Sequence, residues 1–172
     1  RVFWVTSYDT PAMREAIVQF KYRGDKTLAF PLADCIVASL KKRAQESVAI
    51  PAGALIVPVP LHARKKRERG FNQAELLSER VAERLSLSHA SPKTLVRVRQ
   101  TSPQAQVRGR EARSKNMENA FAVPEHATSR VAQRTILLVD DIATTGSTLN
   151  DAARALREAG AKEVWGLVVA RG

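Results

Sequence analysis

Apolar positions along the chain follow two rhythms. Four runs are unbroken or nearly so: Val2–Val5, Ala54–Val59, Ile136–Val139 and Val164–Ala170. Short aliphatic runs of this kind mark buried parallel strands. Between them, apolar residues recur at helical spacing. One helix starts at Pro11 behind Thr10, buries Met13, Ile17 and Phe20, and ends before Gly24. A second runs from about Leu28 to Arg43 through Leu32, Ile36, Val37 and Leu40. A third opens at Asn72, with Glu75 as the reciprocal partner of a capping box, and buries Leu77, Val81 and Leu85. A fourth covers about Ser147–Ala159 and stops at Gly160, where a left-handed glycine belongs.

The remaining stretches carry less pattern. Ser86–Ser91 reads as a polar connection, and Ser129–Gln133 leads into the strand Ile136–Val139. Leu95–Arg99 alternates like a strand, and Ala120–Val123 reads as a short strand returning beside it. Gln100–Asn119, between them, is charged and almost free of large apolar residues, which suits a mobile flap between two strands. The expectation is an α/β fold: one domain over residues 1–172, with an N-terminal strand and helices over 1–50 and a mostly parallel core over 51–172.

Composition sets limits rather than a function. At 172 residues and 44% hydrophobic content there is material for a sizeable core. No apolar stretch approaches the roughly 20 residues needed to span a bilayer, and no secretory leader pattern is present. Cys35 is the single cysteine and has no second cysteine for a disulfide, so a cytoplasmic setting is expected. His62, His89 and His126 show no metal-ligand spacing, and the latter two read as surface residues. The formal charge of +11 favours anionic partners such as phosphorylated metabolites, nucleic acid or membrane surfaces.

The chemistry concentrates in TILLVDDIATTGSTL, Thr135–Leu149. A buried strand runs into two carboxylates, Asp140 and Asp141, and then into the small polar loop Thr144, Thr145, Gly146, Ser147, Thr148 at a helix N-terminus. Ligands of open α/β sheets bind outside the carboxyl ends of strands, and a helix N-terminus suits a phosphate. A ligand matching both ends carries a phosphate and, some way from it, hydroxyls or a metal ion, as a sugar phosphate does. The plainer alternative is a strand end whose Asp and Thr residues cap the next helix. A second stretch, PVPLH followed by KKRERGFNQAELL, supplies Arg64, Lys65, Lys66, Arg67 and Arg69 as donors for a dense anion. The alternatives are a solvated basic loop or a nucleic-acid patch, and the acidic stretch favours the anion reading.

The acidic stretch resembles the PRPP-binding motif of type I phosphoribosyltransferases, and PVPLH with RGFNQ resembles the ComF/GntX branch of that superfamily. The resemblance extends from Lys21-Tyr22 and Gly24 to the last strand. Receiver domains also place paired Asp residues after a strand, but near their start, whereas here only Ile142–Gly172 follow. The resemblance implies a type I phosphoribosyltransferase fold with a flexible hood loop carrying Thr101, Gln104 and Arg113. It implies that Asp140 and Asp141 hold the ribose hydroxyls of PRPP and that Thr144–Thr148 wrap its 5′-phosphate. Arg67, Arg69 and Lys66 would take the pyrophosphate, with Arg64 and Lys65 behind them. Mg²⁺ would be held mainly through PRPP, without dedicated protein ligands. The implied activity is phosphoribosyl transfer to an unidentified acceptor. The alternative is a non-catalytic competence or DNA-uptake protein that binds single-stranded DNA or a protein partner. A homodimer is the assembly expected of the superfamily. Members of the branch carry a cysteine-paired zinc ribbon ahead of this domain; this sequence has none, so no structural zinc is expected in it.

Overall fold

The computed structural model describes residues 1–46, 49–98 and 119–172. The chain opens with β1 (Val2–Ser7), α1 (Pro11–Tyr22) and, after a 3₁₀ turn at Lys26–Leu28, α2 (Ala29–Glu46). Then come β2 (Leu55–Pro58), α3 (Ala63–Arg69), α4 (Gln73–Leu85) and the two-residue β3 (Ser88–His89). A separate antiparallel pair, β4 (Val96–Arg97) and β5 (Phe121–Ala122), is followed by α5 (Glu125–Val131). The chain closes with β6 (Thr135–Ala143), α6 (Ser147–Glu158) and β7 (Glu163–Arg171).

The five strands of the main sheet are all parallel and lie in the order β1-β7-β6-β2-β3. β6 sits at the centre, with Ile136 to Val139 all fully buried. Its two-residue period sends Leu137 and Val139 to a core shared with α1, α2 and α4, among them Ile17, Phe20, Leu40 and Leu77. Ile136 and Leu138 face the second core, with Leu149, Leu156, Val131 and Phe121 from α6, α5 and β5. Helices therefore cover both faces, which is why these strands carry no polar side in sequence.

This order places the functional edge. The connection from β2 leads outward to β3, while that from β6 leads the other way, to β7 and then β1. Strand order thus reverses between β2 and β6, and the carboxyl ends at such a reversal form the ligand crevice of open α/β sheets. The Val59 amide donates to the Val139 carbonyl at 2.9 Å, continuing this pairing past the end of β2. The outer edge of β1 is protected: Ser39 donates its hydroxyl to the Trp4 carbonyl at 3.2 Å, and the Arg43 guanidinium lies over the Phe3 and Trp4 rings.

Several local expectations need correction. The basic tract is no loop but the helix α3. Its Arg, Lys and Glu residues are good helix formers, Arg64 pairs with Glu68 one turn on at 2.9 Å, and Gly70 ends it at φ 77°. Glu75 does not close a capping box; its carboxylate takes Lys66 at 3.0 Å instead. Ser88–His89 forms the fifth parallel strand, and His89 is half-buried with Nε2 at 2.8 Å from the Ser78 hydroxyl. The connection before β6 contains α5. Among the described residues no helix is long and apolar enough to cross a membrane.

Candidate phosphate and sugar site

β6 does not stop at its carboxylates but continues as strand through Asp140 and Asp141 to Ala143. Alternation then turns the two side chains to opposite faces. Asp141 enters the α1 side, is 6% exposed, and is held by Lys21 Nζ through both oxygens, at 3.0 and 2.8 Å. Asp140, on the other side, accepts the Asp141 amide at 2.8 Å and makes no ion pair among the described residues. Its pKa is pushed up to about 7, first by burial and then by the Asp141 charge, with Lys21, the Asp141 amide and Arg97 pulling the other way. Burial acts against the Lys21 ammonium, but the attraction and hydrogen bond of Asp141 outweigh it and leave the lysine pKa above its ordinary value.

The polar loop follows directly. Gly146 occupies the cap position of α6 at φ 77°, a left-handed conformation that glycine adopts without penalty. A glycine cap brings no side-chain acceptor, unlike the usual Ser, Thr or Asp. Thr145 and Ser147 hydroxyls lie 2.8 Å apart, and Gly146 accepts the Asn150 amide at 2.8 Å. Thr144 is exposed and Thr145 to Thr148 are half-buried. The loop therefore presents hydroxyls and helix N-terminal amides beside the acidic pair, an arrangement suited to a phosphate.

α3 carries the cations of the basic tract, each in a different setting. Arg64 and Lys66 are committed to Glu68 and Glu75, and Arg67 is exposed. Lys65 is the residue that faces like charges: burial first, then Arg69, Arg97 and Lys21, hold its pKa below the ordinary lysine value. Arg69 donates to Gln73 Oε1 at 3.2 Å and lies over the Tyr22 ring. Arg97, on β4, sits over the Phe121 ring. Burial pulls its pKa down, while Asp140 and Asp151 act to raise it. Lys21, Lys65, Arg69 and Arg97 come from two helices and a strand; Lys21 and Arg97 act on Asp140, and Lys65 lies beside Lys21, Arg69 and Arg97.

The RGFNQ stretch is the joint that makes this possible. Gly70 ends α3, and Phe71 is buried with its ring centroid 5.8 Å from that of Phe20. Buried Asn72 caps α4 by accepting the Ala74 amide at 3.1 Å and donates its amide to the Val59 carbonyl at 3.1 Å. Gln73 holds Arg69 and donates to the Lys21 carbonyl at 3.5 Å. Lys65 was placed only behind the expected pyrophosphate donors, and Lys21, Arg97 and Asp151 were missed as functional positions. For Lys21 the signal was present in the Lys21-Tyr22 resemblance; for Arg97 and Asp151 only the fold supplies it. Asp151 is 8% exposed and accepts three successive amides, Asn119, Ala120 and Phe121, at 3.0, 2.7 and 3.2 Å. It thus ties β5 to α6, with Arg154 paired to it at 2.9 Å. Thr101, Gln104 and Arg113 lie outside the described residues.

Residues 72–172, more than half of the chain, match the phosphoribosyl transferase domain family. The chain is 34% identical over 167 residues to the DNA utilization protein YhgH of Salmonella typhi, covering 96% of this chain and 70% of that protein. It is 32% identical over 153 residues to competence protein F of Haemophilus influenzae, covering 88% and 65%. Against competence protein ComFC of Bacillus subtilis it is 30% identical over 150 residues, covering 86% and 55%. The chain thus spans between about half and about two thirds of the length of these relatives. With the parallel sheet and the crevice it forms, these matches establish that the chain belongs to the ComF/GntX family of phosphoribosyltransferase-like domains.

Proposed function

We propose that this domain binds PRPP with Mg²⁺ at the carboxyl end of β6 and transfers its phosphoribosyl group to an acceptor. One observation carries the reading: an acidic pair, a glycine-capped helix N-terminus and a group of cations, Lys21 and Arg97 on the acidic pair and Lys65 and Arg69 next to them, lie at one sheet reversal. The 5′-phosphate takes the Thr144–Thr148 loop and the α6 N-terminus. Asp140 lies toward the ribose, where the charge of an oxocarbenium-like transition state develops. Lys65, Arg69 and Arg97 take the departing pyrophosphate, with Arg67 at the rim and Lys66 held back by Glu75. The chain's contribution is placement of charge and geometry around displacement at the anomeric carbon.

The residues present fit Mg²⁺ as a substrate-borne ion. The strand end offers two carboxylates, one already neutralised by Lys21, and among the described residues no three His, Cys, Asp or Glu side chains gather into a metal cage. Mg²⁺ takes one or two carboxylates and otherwise substrate phosphate and water, so Asp140 is the group open to it. When bound, the ion neutralises charge on the leaving pyrophosphate.

A second reading rests on the names of the relatives, competence protein F and DNA utilization protein YhgH. In it the fold serves DNA uptake or use through single-stranded DNA or a protein partner, with the +11 charge supplying the attraction. Calorimetry with PRPP and Mg²⁺ separates the two. Saturable, Mg²⁺-dependent binding supports the first; binding confined to DNA, and steeply weakened by salt, supports the second.

A further inference from the structure

The ion pair inside the site has an unusual partner for a carboxylate meant for sugar or metal. Lys21 reaches from the last turn of α1 and grips both oxygens of Asp141, with the two side chains 19% and 8% exposed. Its backbone is fixed as well, since Gln73, 2% exposed, donates to the Lys21 carbonyl. A bare pair of adjacent carboxylates in a crevice would attract a free divalent cation. Here that cation must displace a buried ammonium, and leaving either partner of such a pair unmatched is costly. It must also approach past Lys65, Arg69 and Arg97. A cation already complexed by a sugar pyrophosphate approaches as a net anion and is drawn by those same charges.

We propose that Lys21 is a resident counter-ion that keeps free divalent cations off the Asp140–Asp141 pair, so that a cation enters only with a phosphorylated sugar. This rests on the PRPP reading for its purpose, but its test does not need PRPP. Lys21 is then a positioning residue: it acts through Asp141 and imposes the order in which ion and substrate arrive.

The test is Mn²⁺ uptake without substrate, followed by the loss of the free-ion electron paramagnetic resonance signal. Three proteins are compared: wild type, Lys21→Gln, and Lys21→Gln/Asp140→Asn, each checked for folding by circular dichroism. Wild type should leave millimolar Mn²⁺ free. Lys21→Gln should bind it at least about tenfold tighter, the effect of removing one resident charge from a partly buried site. The double variant should lose that gain. Tight Mn²⁺ uptake by wild type, or a folded Lys21→Gln that gains nothing, overturns the proposal. Should Lys21→Gln not fold, the wild-type arm decides: no uptake supports the counter-ion role and submillimolar uptake refutes it. Failure of PRPP to bind wild type in calorimetry sinks the transferase reading separately and leaves the Mn²⁺ result standing.

Discussion

Replacing Asp140 by Asn should stabilise the protein, by an amount that grows as pH rises from about 4 to about 7 and is then constant. The carboxyl has an ordinary value of 3.8 and is pushed up to about 7 in the fold by burial and by Asp141. Below pH 3.8 it is protonated whether folded or unfolded and costs nothing. As pH rises, the unfolded chain ionises first, so stability falls steadily until the folded carboxyl also ionises near pH 7. The gap between the two values corresponds to about 4 kcal/mol at about 1.4 kcal/mol per pH unit. Water reaching a half-buried group screens this to about 2 kcal/mol. Asn keeps the acceptor for the Asp141 amide, which sits at 2.8 Å, and removes the titration. Urea unfolding followed by Trp4 and Trp165 fluorescence should therefore give equal stabilities near pH 3. At pH 8 Asp140→Asn should gain about 2 kcal/mol, or about 4–8 °C in Tm for a chain of this size. The gain would identify Asp140 as a position where stability is given up for function. A difference that does not change with pH, or a less stable Asp140→Asn at pH 8, would show that the buried carboxylate carries no such cost.

Lys65→Met and Arg97→Met should each weaken PRPP binding by roughly 10- to 100-fold, the range of one lost charge-assisted hydrogen bond, whereas Arg64→Met should change calorimetric affinity little because Arg64 is spent on Glu68. Asp151→Ala removes the acceptor for three amides at the start of β5 and should cost about 3 kcal/mol in chemical denaturation; Asp151→Asn, which retains an acceptor, should cost less. Asn72→Ala loses both the α4 cap and the bond to Val59, and should cost about 1–2 kcal/mol by the same assay.

Much of this architecture was legible because its signals are local. The unbroken run Ile136–Val139 gave the central strand, Gly24 and Gly160 marked helix ends, and Asn72 caps α4 as its position suggested. β3 escaped because two residues carry no periodicity; it exists through pairing with Leu55 and Ile56. α3 was hidden because an all-polar tract has no apolar stripe to reveal a helix. The acidic pair and the polar loop could be read as a site. The division of labour within the pair could not, since it depends on Lys21, 120 positions away. The cations told the same story: the run Arg64–Arg69 was visible, but intrahelical and α4 carboxylates neutralise two of its members. Arg97 and Asp151 became legible only once the β4–β5 pair packed on α6.

PRPP binding at the end of β6 is decided by isothermal titration of PRPP into the folded protein, with and without Mg²⁺, for wild type and for Asp140→Asn/Asp141→Asn. Wild type should show saturable, Mg²⁺-dependent binding that the double variant loses while remaining folded. Absence of binding by folded wild type, or undiminished binding by the double variant, would contradict PRPP binding there.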